Sequence, residues 1–167
     1  LVAVLEAIHA ETGRKVSLVG WSLGGLMAKA LASQRPELVR QVITLGSPLA
    51  GNPKSTAVWR LYEAATGDRV DDEVALKHFH EAQLPPQVPS TAIYSKGDGI
   101  VPWQNCTMAK HDLTDNIEVI GSHCGLGVNP VVLFAVADRL AQPEGSWTPF
   151  KRGGLRGIVY PSSGHFH

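Results

Sequence analysis

The sequence predicts an α/β fold in which a doubly wound, mostly parallel sheet is covered by helices on both faces. Short runs rich in apolar residues alternate along the chain with segments whose apolar residues recur every three or four positions. The 167 residues are 44% hydrophobic and 18% charged, enough apolar material to bury one core. Seventeen glycines and 11 prolines indicate many tight turns between packed elements. We therefore expect one domain over residues 1–167.

Four strands account for the predicted sheet. Each is a short run of mostly apolar or β-branched residues, bounded by glycine, proline or polar residues. These segments are 15–20, 41–46, 91–95 and 116–120.

Three helices are predicted around these strands. The first ends near Gly13 and has apolar residues at i, i+3, i+4 and i+7, namely Leu1, Val4, Leu5 and Ile8. The second begins at Leu23 and ends before Pro36. The third has Asn129 as its N-cap and Pro130 at its first position. We expect it to bury a stripe formed by Leu133, Val136, Ala137 and Leu140.

A long insertion separates the second and third strands. Its length of about 44 residues, from 47 to 90, far exceeds the usual connection of roughly 2–6 residues. Segments 57–65 and 72–83 each fit a helix, and the prolines of 84–89 favour an extended return to the sheet. We expect residues 51–90, approximately, to form a helical cap over the sheet edge.

Charge and composition narrow the possible partners. Fifteen Lys and Arg balance 15 Asp and Glu, which argues against a nucleic-acid partner or a general attraction to anionic membranes. No run of 18 apolar residues occurs, so a transmembrane segment is not expected. The segment Gly125-Leu126-Gly127 lacks a third glycine, and no P-loop lysine follows a glycine-rich turn. We therefore expect no cofactor.

The strongest local signal is Gly20-Trp21-Ser22-Leu23-Gly24-Gly25, which fits G-x-S-x-G between a predicted strand and a predicted helix. A serine at so sharp a turn takes a strained backbone conformation, and we expect Gly20 and Gly24 to remove side chains that would collide there. The helix that follows directs its first amides beside the serine hydroxyl. Ser22 is thus a candidate nucleophile, and the N–H of Leu23 a candidate oxyanion donor.

A nucleophilic serine needs a general base, and the base needs an acid that fixes its tautomer. Asp98 follows the third predicted strand, at the edge where open α/β sheets place ligands. Of seven histidines, only His123 directly follows the fourth. The other aspartates lie in the insertion, before the fourth strand or in a helix: Asp68, Asp71, Asp72, Asp112, Asp115 and Asp138. Because the pair His78 and His80 has no third ligand nearby, it indicates a solvated helix rather than a metal site.

The serine turn, the loop of Asp98 and the loop of His123 follow one another along the chain. In this order they resemble the motifs of α/β hydrolases of the bacterial lipase and esterase type. Besides the serine turn, the resemblance rests on Leu45-Gly46-Ser47-Pro48 with Gly51, the acid loop 94–102 and the histidine loop 121–126. It spans roughly residues 1–140 and implies a partial α/β-hydrolase fold with Ser22, Asp98 and His123 as catalytic triad. It also implies that the insertion is a lid over an acyl pocket. The lid side chains expected to face that pocket are Val58, Trp59, Leu61, Val74, Leu76 and Phe79.

The function expected on these grounds is hydrolysis of carboxylic esters, by an esterase or lipase acting on a small-molecule ester or lipid. An acyltransferase with the same triad and a non-catalytic binding module of this fold remain alternatives. Only 14 residues precede the first predicted strand, 15–20, so we expect the early strands and a second oxyanion donor to lie outside this chain. Cys106 and Cys124 are expected either as one disulfide or as two free thiols.

Overall fold

The computed structural model describes residues 1–51, 73–154 and 156–161. Its centre is a four-stranded parallel sheet in the order β1-β2-β3-β4. The strands are β1 (Val16–Trp21), β2 (Val39–Leu45), β3 (Ser90–Tyr94) and β4 (Thr114–Glu118). All four predicted strands are present, each within two residues of its expected ends.

Helices connect the strands and flank the sheet, as parallel strands require. They are α1 (Val2–Thr12), α2 (Leu23–Gln34), α3 (Glu73–Gln83), α4 (Pro130–Leu140) and the short α5 (Arg156–Val159). A 3₁₀ turn covers Trp103–Cys106. Asn129 caps α4, because its side chain accepts a hydrogen bond from the N–H of Val131 at 2.9 Å. No helix in the described ranges is long and apolar enough to cross a membrane.

At β2 the sheet has a core on each face, since successive side chains of a strand point to opposite sides and six of the seven residues of β2 are buried. Val42 packs with Leu5 of α1 and Leu31 of α2. Ile43 belongs to the core on the other face, which includes Val132 of α4. The predicted doubly wound α/β architecture is therefore confirmed.

Two predicted helix faces are wrong. In α1 only Leu5 is buried, while Leu1, Val4 and Ile8 are exposed, because α1 meets the described core through Leu5 and the partly buried Val2. In α4 the buried residues are Val132, Ala135 and Arg139. The expected stripe of α4 is largely exposed at Leu133, Ala137 and Leu140. Arg139 can occupy a core position because its guanidinium donates to Thr148 O and to the carboxylate of Asp138.

The described C-terminal segment packs against the sheet. Phe150 and Tyr160 are buried in the same core cluster as Ile117 of β4. The N–H of Phe150 donates to Asp115 Oδ2 at 2.7 Å, and the hydroxyl of Tyr160 donates to Val131 O at 2.7 Å. These contacts cover the α4 side of the sheet.

Part of the expected cap falls on α3, which corresponds to the second helix proposed for the insertion. Phe79 of α3 is buried against Leu23 and Leu26 of α2, and Leu76 is half-buried. The first cap helix, with Val58, Trp59 and Leu61, lies outside the described residues, as does the side chain of Val74.

Candidate active site

Ser22 occupies the sharp turn between β1 and α2. Its φ of 55° and ψ of −126° make it the one non-glycine residue with positive φ in the described chain. Such a conformation is strained and persists only where surrounding structure enforces it. The N–H of Ser22 donates to Leu45 O at 2.8 Å, which ties the turn to the end of β2. α2 starts at the next residue, Leu23, so the first amide of this helix adjoins the serine.

Two glycines, Gly20 and Gly25, allow the turn to close, whereas the sequence predicts this role for Gly20 and Gly24. A Cβ on Gly20 would lie 2.5 Å from Gly25 Cα, and a Cβ on Gly25 would lie 2.8 Å from Gly20 O and overlap the hydroxyl of Ser47. A Cβ on Gly24 would meet no heavy atom within 4 Å among the described residues that could obstruct it. The steric role expected of Gly24 is therefore performed by Gly25.

The turn brings Ser22 to the side chains that follow β3 and β4. His123 Nε2 lies 2.9 Å from Ser22 Oγ, and His123 Nδ1 lies 2.7 Å from Asp98 Oδ2. All three residues are buried, with 8%, 2% and 4% exposure for Ser22, His123 and Asp98. With the proton on Nδ1, the ring donates to the carboxylate and accepts from the hydroxyl, the arrangement that general-base activation needs.

The carboxylate of Asp98 is held by its own loop. Its Oδ1 accepts hydrogen bonds from the N–H groups of Ile100 at 3.0 Å and Val101 at 2.7 Å. Its Oδ2 is thereby directed at the imidazole of His123. The two amide hydrogen bonds therefore fix the orientation of the carboxylate oxygen that contacts the ring.

Ser95 links the acid loop to the histidine loop, a role that sequence analysis missed. Its hydroxyl donates to Gly121 O at 2.6 Å and accepts from the N–H groups of Gly121 and Gly97 at 3.2 and 3.1 Å. Ser95 is 2% exposed. The one signal in the sequence is its place at the end of a strand, next to the loop that carries Asp98.

Among the described residues, the other candidates bind other groups or lie on other elements. Asp115 binds Phe150 and Arg152 in the C-terminal segment. His78 and His80 lie on α3. Three of the aspartates lie outside the described residues, namely Asp68, Asp71 and Asp72. Cys106 and Cys124 are free thiols, so of the two expected alternatives the disulfide is wrong. A cleft of about 450 Å³ lies at the start of β1, lined by residues that include Lys15 and Arg40, far along the strand from Ser22.

A parallel sheet with a strained serine between a strand and a helix is the arrangement of α/β hydrolases. The sequence model of the alpha/beta hydrolase family matches residues 1–167, and the chain belongs to this family.

Two curated relatives share a short segment with the chain. They are the triacylglycerol lipases of Pseudarthrobacter phenanthrenivorans and Burkholderia plantarii, each 42% identical over 53 residues. That segment is 31% of this chain and only 17% and 15% of the two lipases. The match therefore spans less than a fifth of either relative.

Solved structures resemble the chain over most of its length. MGS-MChE2, an alpha/beta hydrolase enzyme from the metagenome of lagoon sediments at Mar Chica, Morocco, matches with a TM-score of 0.53 and 19% identity. The match covers 83% of this chain and 67% of that one. At this identity the likeness concerns the fold alone.

Proposed function

We propose that the chain carries the catalytic centre of a serine hydrolase that cleaves carboxylic esters, an esterase or lipase. The observation that carries the proposal is the buried series of hydrogen bonds from Ser22 through His123 to Asp98, which starts at a strained turn. Strain of this kind at a polar residue favours a functional role over a packing role. The names of the two lipase relatives favour an ester substrate.

In the proposed reaction Ser22 Oγ attacks the ester carbonyl carbon while His123 Nε2 takes the hydroxyl proton. The N–H of Leu23 donates to the negative oxygen of the tetrahedral intermediate. The partial positive charge at the N-terminus of α2 stabilises the same oxygen. His123 then returns the proton to the departing alcohol, and an acyl-enzyme forms at Ser22. Water attacks the acyl carbon and gives a proton to His123. The bond from the acyl carbon to Ser22 Oγ then breaks, His123 returns the proton to Oγ, and the acid is released.

Asp98 acts in this scheme through the imidazole. Its hydrogen bond to Nδ1 keeps the lone pair of Nε2 directed at Ser22 and stabilises the imidazolium that forms during attack. The amides of Ile100 and Val101 keep the carboxylate in this orientation. The buried pair thus needs little reorganisation when charge develops.

The proposed domain arrangement is a single partial α/β-hydrolase domain with a lid over about residues 51–90. The support lies in α3, whose Phe79 packs on Leu23, the residue that follows Ser22. A lid with apolar side chains beside the serine suits an acyl chain.

The test uses the full-length protein and p-nitrophenyl esters of graded chain length, with a fluorophosphonate probe and mass spectrometry to locate the label. The proposal predicts ester turnover, a label on Ser22, and loss of both in Ser22→Ala. Turnover that survives in Ser22→Ala, or a label on another serine, would contradict it. An added alcohol acceptor separates hydrolysis from acyl transfer, since a transferase forms a new ester at the expense of the free acid.

A further inference from the structure

The backbone of His123 is held by both loops whose side chains its ring contacts. Its N–H donates to Asp98 O at 3.0 Å, and its carbonyl accepts from the indole Nε1–H of Trp21 at 3.1 Å. Because Trp21 directly precedes Ser22, the second bond joins the histidine loop to the serine turn. The two backbone bonds therefore act between the same elements as the side-chain series.

Core packing does not explain the position of Trp21. The residue remains 45% exposed at the end of β1, although tryptophan is the largest side chain. Its ring centroid lies 5.5 Å from that of His123, with the planes tilted by 37°. An indole N–H can only donate, and here its acceptor is the carbonyl of the proposed base.

The histidine loop also has a local closure of its own. The N–H of Leu126 lies within hydrogen-bond distance of both Ser122 O at 3.2 Å and His123 O at 3.3 Å. If the indole donor were removed, this turn would keep its hydrogen bonds. What would be lost is the attachment of the turn to β1, which limits movement of the imidazole relative to Ser22.

We propose that Trp21 is a positioning residue, whose indole N–H holds the His123 backbone so that Nε2 stays 2.9 Å from Ser22 Oγ. This inference rests on the proposed function. A shift of about 1 Å between reacting groups can reduce a rate roughly 100-fold, so a single hydrogen bond at this place has a large effect on turnover.

Trp21→Phe in the full-length protein removes the N–H and keeps an aromatic ring. We expect kcat for ester hydrolysis to fall between about 10- and 100-fold while KM stays within about twofold. The matched control is Trp147→Phe, because the buried Nε1 of Trp147 has no hydrogen-bond partner among the described residues. Unchanged kcat in Trp21→Phe, an effect confined to KM, or an equal loss in Trp147→Phe would overturn the proposal.

An exchange test does not depend on turnover. Trp21 is 45% exposed, so protection of its indole N–H from exchange with solvent must come from the hydrogen bond to His123 O. In NMR spectra of the wild-type protein in D₂O, this N–H, assigned by its absence in Trp21→Phe, should exchange at least about 10-fold more slowly than in the unfolded chain. Exchange as fast as in the unfolded chain would overturn the contact. A protected Trp21 N–H in a wild-type protein that neither hydrolyses esters nor is labelled at Ser22 would instead refute the proposed function.

Discussion

The backbone of Gly46 lies directly against the carboxylate of Asp98. A Cβ on Gly46 would be 2.9 Å from Asp98 Oδ2, 3.3 Å from His123 Nδ1 and 2.7 Å from Leu126 Cδ1. Gly46 also has a φ of +54°, a region that side chains rarely adopt. The end of β2 can therefore approach the Asp98–His123 pair only because this residue has no side chain.

We expect Gly46→Ala to lower ester turnover about 100-fold, because the methyl group must displace the carboxylate or the imidazole. Gly13→Ala is the matched control, since Gly13 has a similar φ of +64° but open space around it in the described structure. The control should lower the thermal unfolding midpoint and leave kcat unchanged. Steady-state kinetics and calorimetry of both variants make the comparison. If Gly46→Ala kept the wild-type kcat, the close contact between Gly46 and the Asp98–His123 pair would not matter for turnover.

Two aspartates with different contacts allow a test of the acid. Asp98→Asn should reduce kcat about 10⁴-fold, as the same replacement does in a Ser-His-Asp protease, because the amide stabilises the wrong imidazole tautomer. Asp115 is also buried, but its carboxylate binds Phe150 N–H and Arg152. Asp115→Asn should therefore cost about 1–3 kcal/mol of unfolding free energy with little change in kcat. If Asp115→Asn abolished turnover and Asp98→Asn did not, the assignment of Asp98 would be wrong.

The strands and the residues at their ends could be predicted because each strand is a short run of mostly apolar or β-branched residues bounded by glycine, proline or polar residues. In a parallel sheet all carboxyl ends lie on one edge, so Ser22, Asp98 and His123 were expected near one another from order alone. A shift of one or two residues in a strand boundary does not alter which loop follows it.

Other features could not be predicted because they depend on contacts between distant residues. The face that α4 buries is set partly by Arg139, whose charge suggests a surface position until Thr148 O is found to accept from it. The C-terminal segment has no apolar period, and its attachment depends on Phe150, Tyr160 and the acceptor Asp115. Periodicity in a single segment carries no information about such pairs.

The two thiols should differ strongly in reactivity. Burial raises the pKa of Cys106 to about 12, and the charge of Asp98 adds to this effect, so Cys106 stays protonated at neutral pH. Cys124 is exposed. Because the thiolate is the reactive form, we expect one rapidly modified thiol in the native protein and a second only after unfolding. Ellman's reagent measures both, and Cys124→Ser should remove the fast phase alone; two fast thiols would contradict the burial of Cys106.

Lys29 of α2 is 3% exposed, and its one described hydrogen bond goes to Leu84 O at 3.4 Å. Burial lowers its pKa in the folded protein from the ordinary value of 10.5. Between the lowered pKa of the folded protein and the ordinary pKa of the unfolded chain, the unfolded chain binds more protons. The free-energy cost of burying the Lys29 charge is therefore complete below the folded-state pKa, and it disappears as pH rises through these two values.

We expect Lys29→Met to raise the unfolding free energy at pH 7 by on the order of 1 kcal/mol. The gain should shrink as pH approaches 10.5. Urea unfolding of both proteins at pH 7 and pH 10 measures the difference. Lys15→Met, at an exposed lysine, serves as control. A gain that stays constant with pH would show that lost charge burial is not its cause.

The final prediction concerns the two adjacent glycines at the start of α2. Gly25→Ala places a methyl group against the side chain of Ser47 and 2.8 Å from Gly20 O. Ser47 is fully buried and Gly20 O is a backbone atom, so neither can easily move aside. The first turn of α2 must then move away from β1 and carry Ser22 with it. We expect a lower unfolding midpoint and at least about a 100-fold loss of turnover.

Gly24→Ala is the matched control, because the described structure has open space around a Cβ at this position. Alanine stabilises a helix by up to about 1 kcal/mol relative to glycine, so this variant should raise the unfolding midpoint and preserve kcat. Calorimetry and kinetics of the two variants decide the matter, because damage by Gly24→Ala with tolerance of Gly25→Ala would reverse the packing described for the turn.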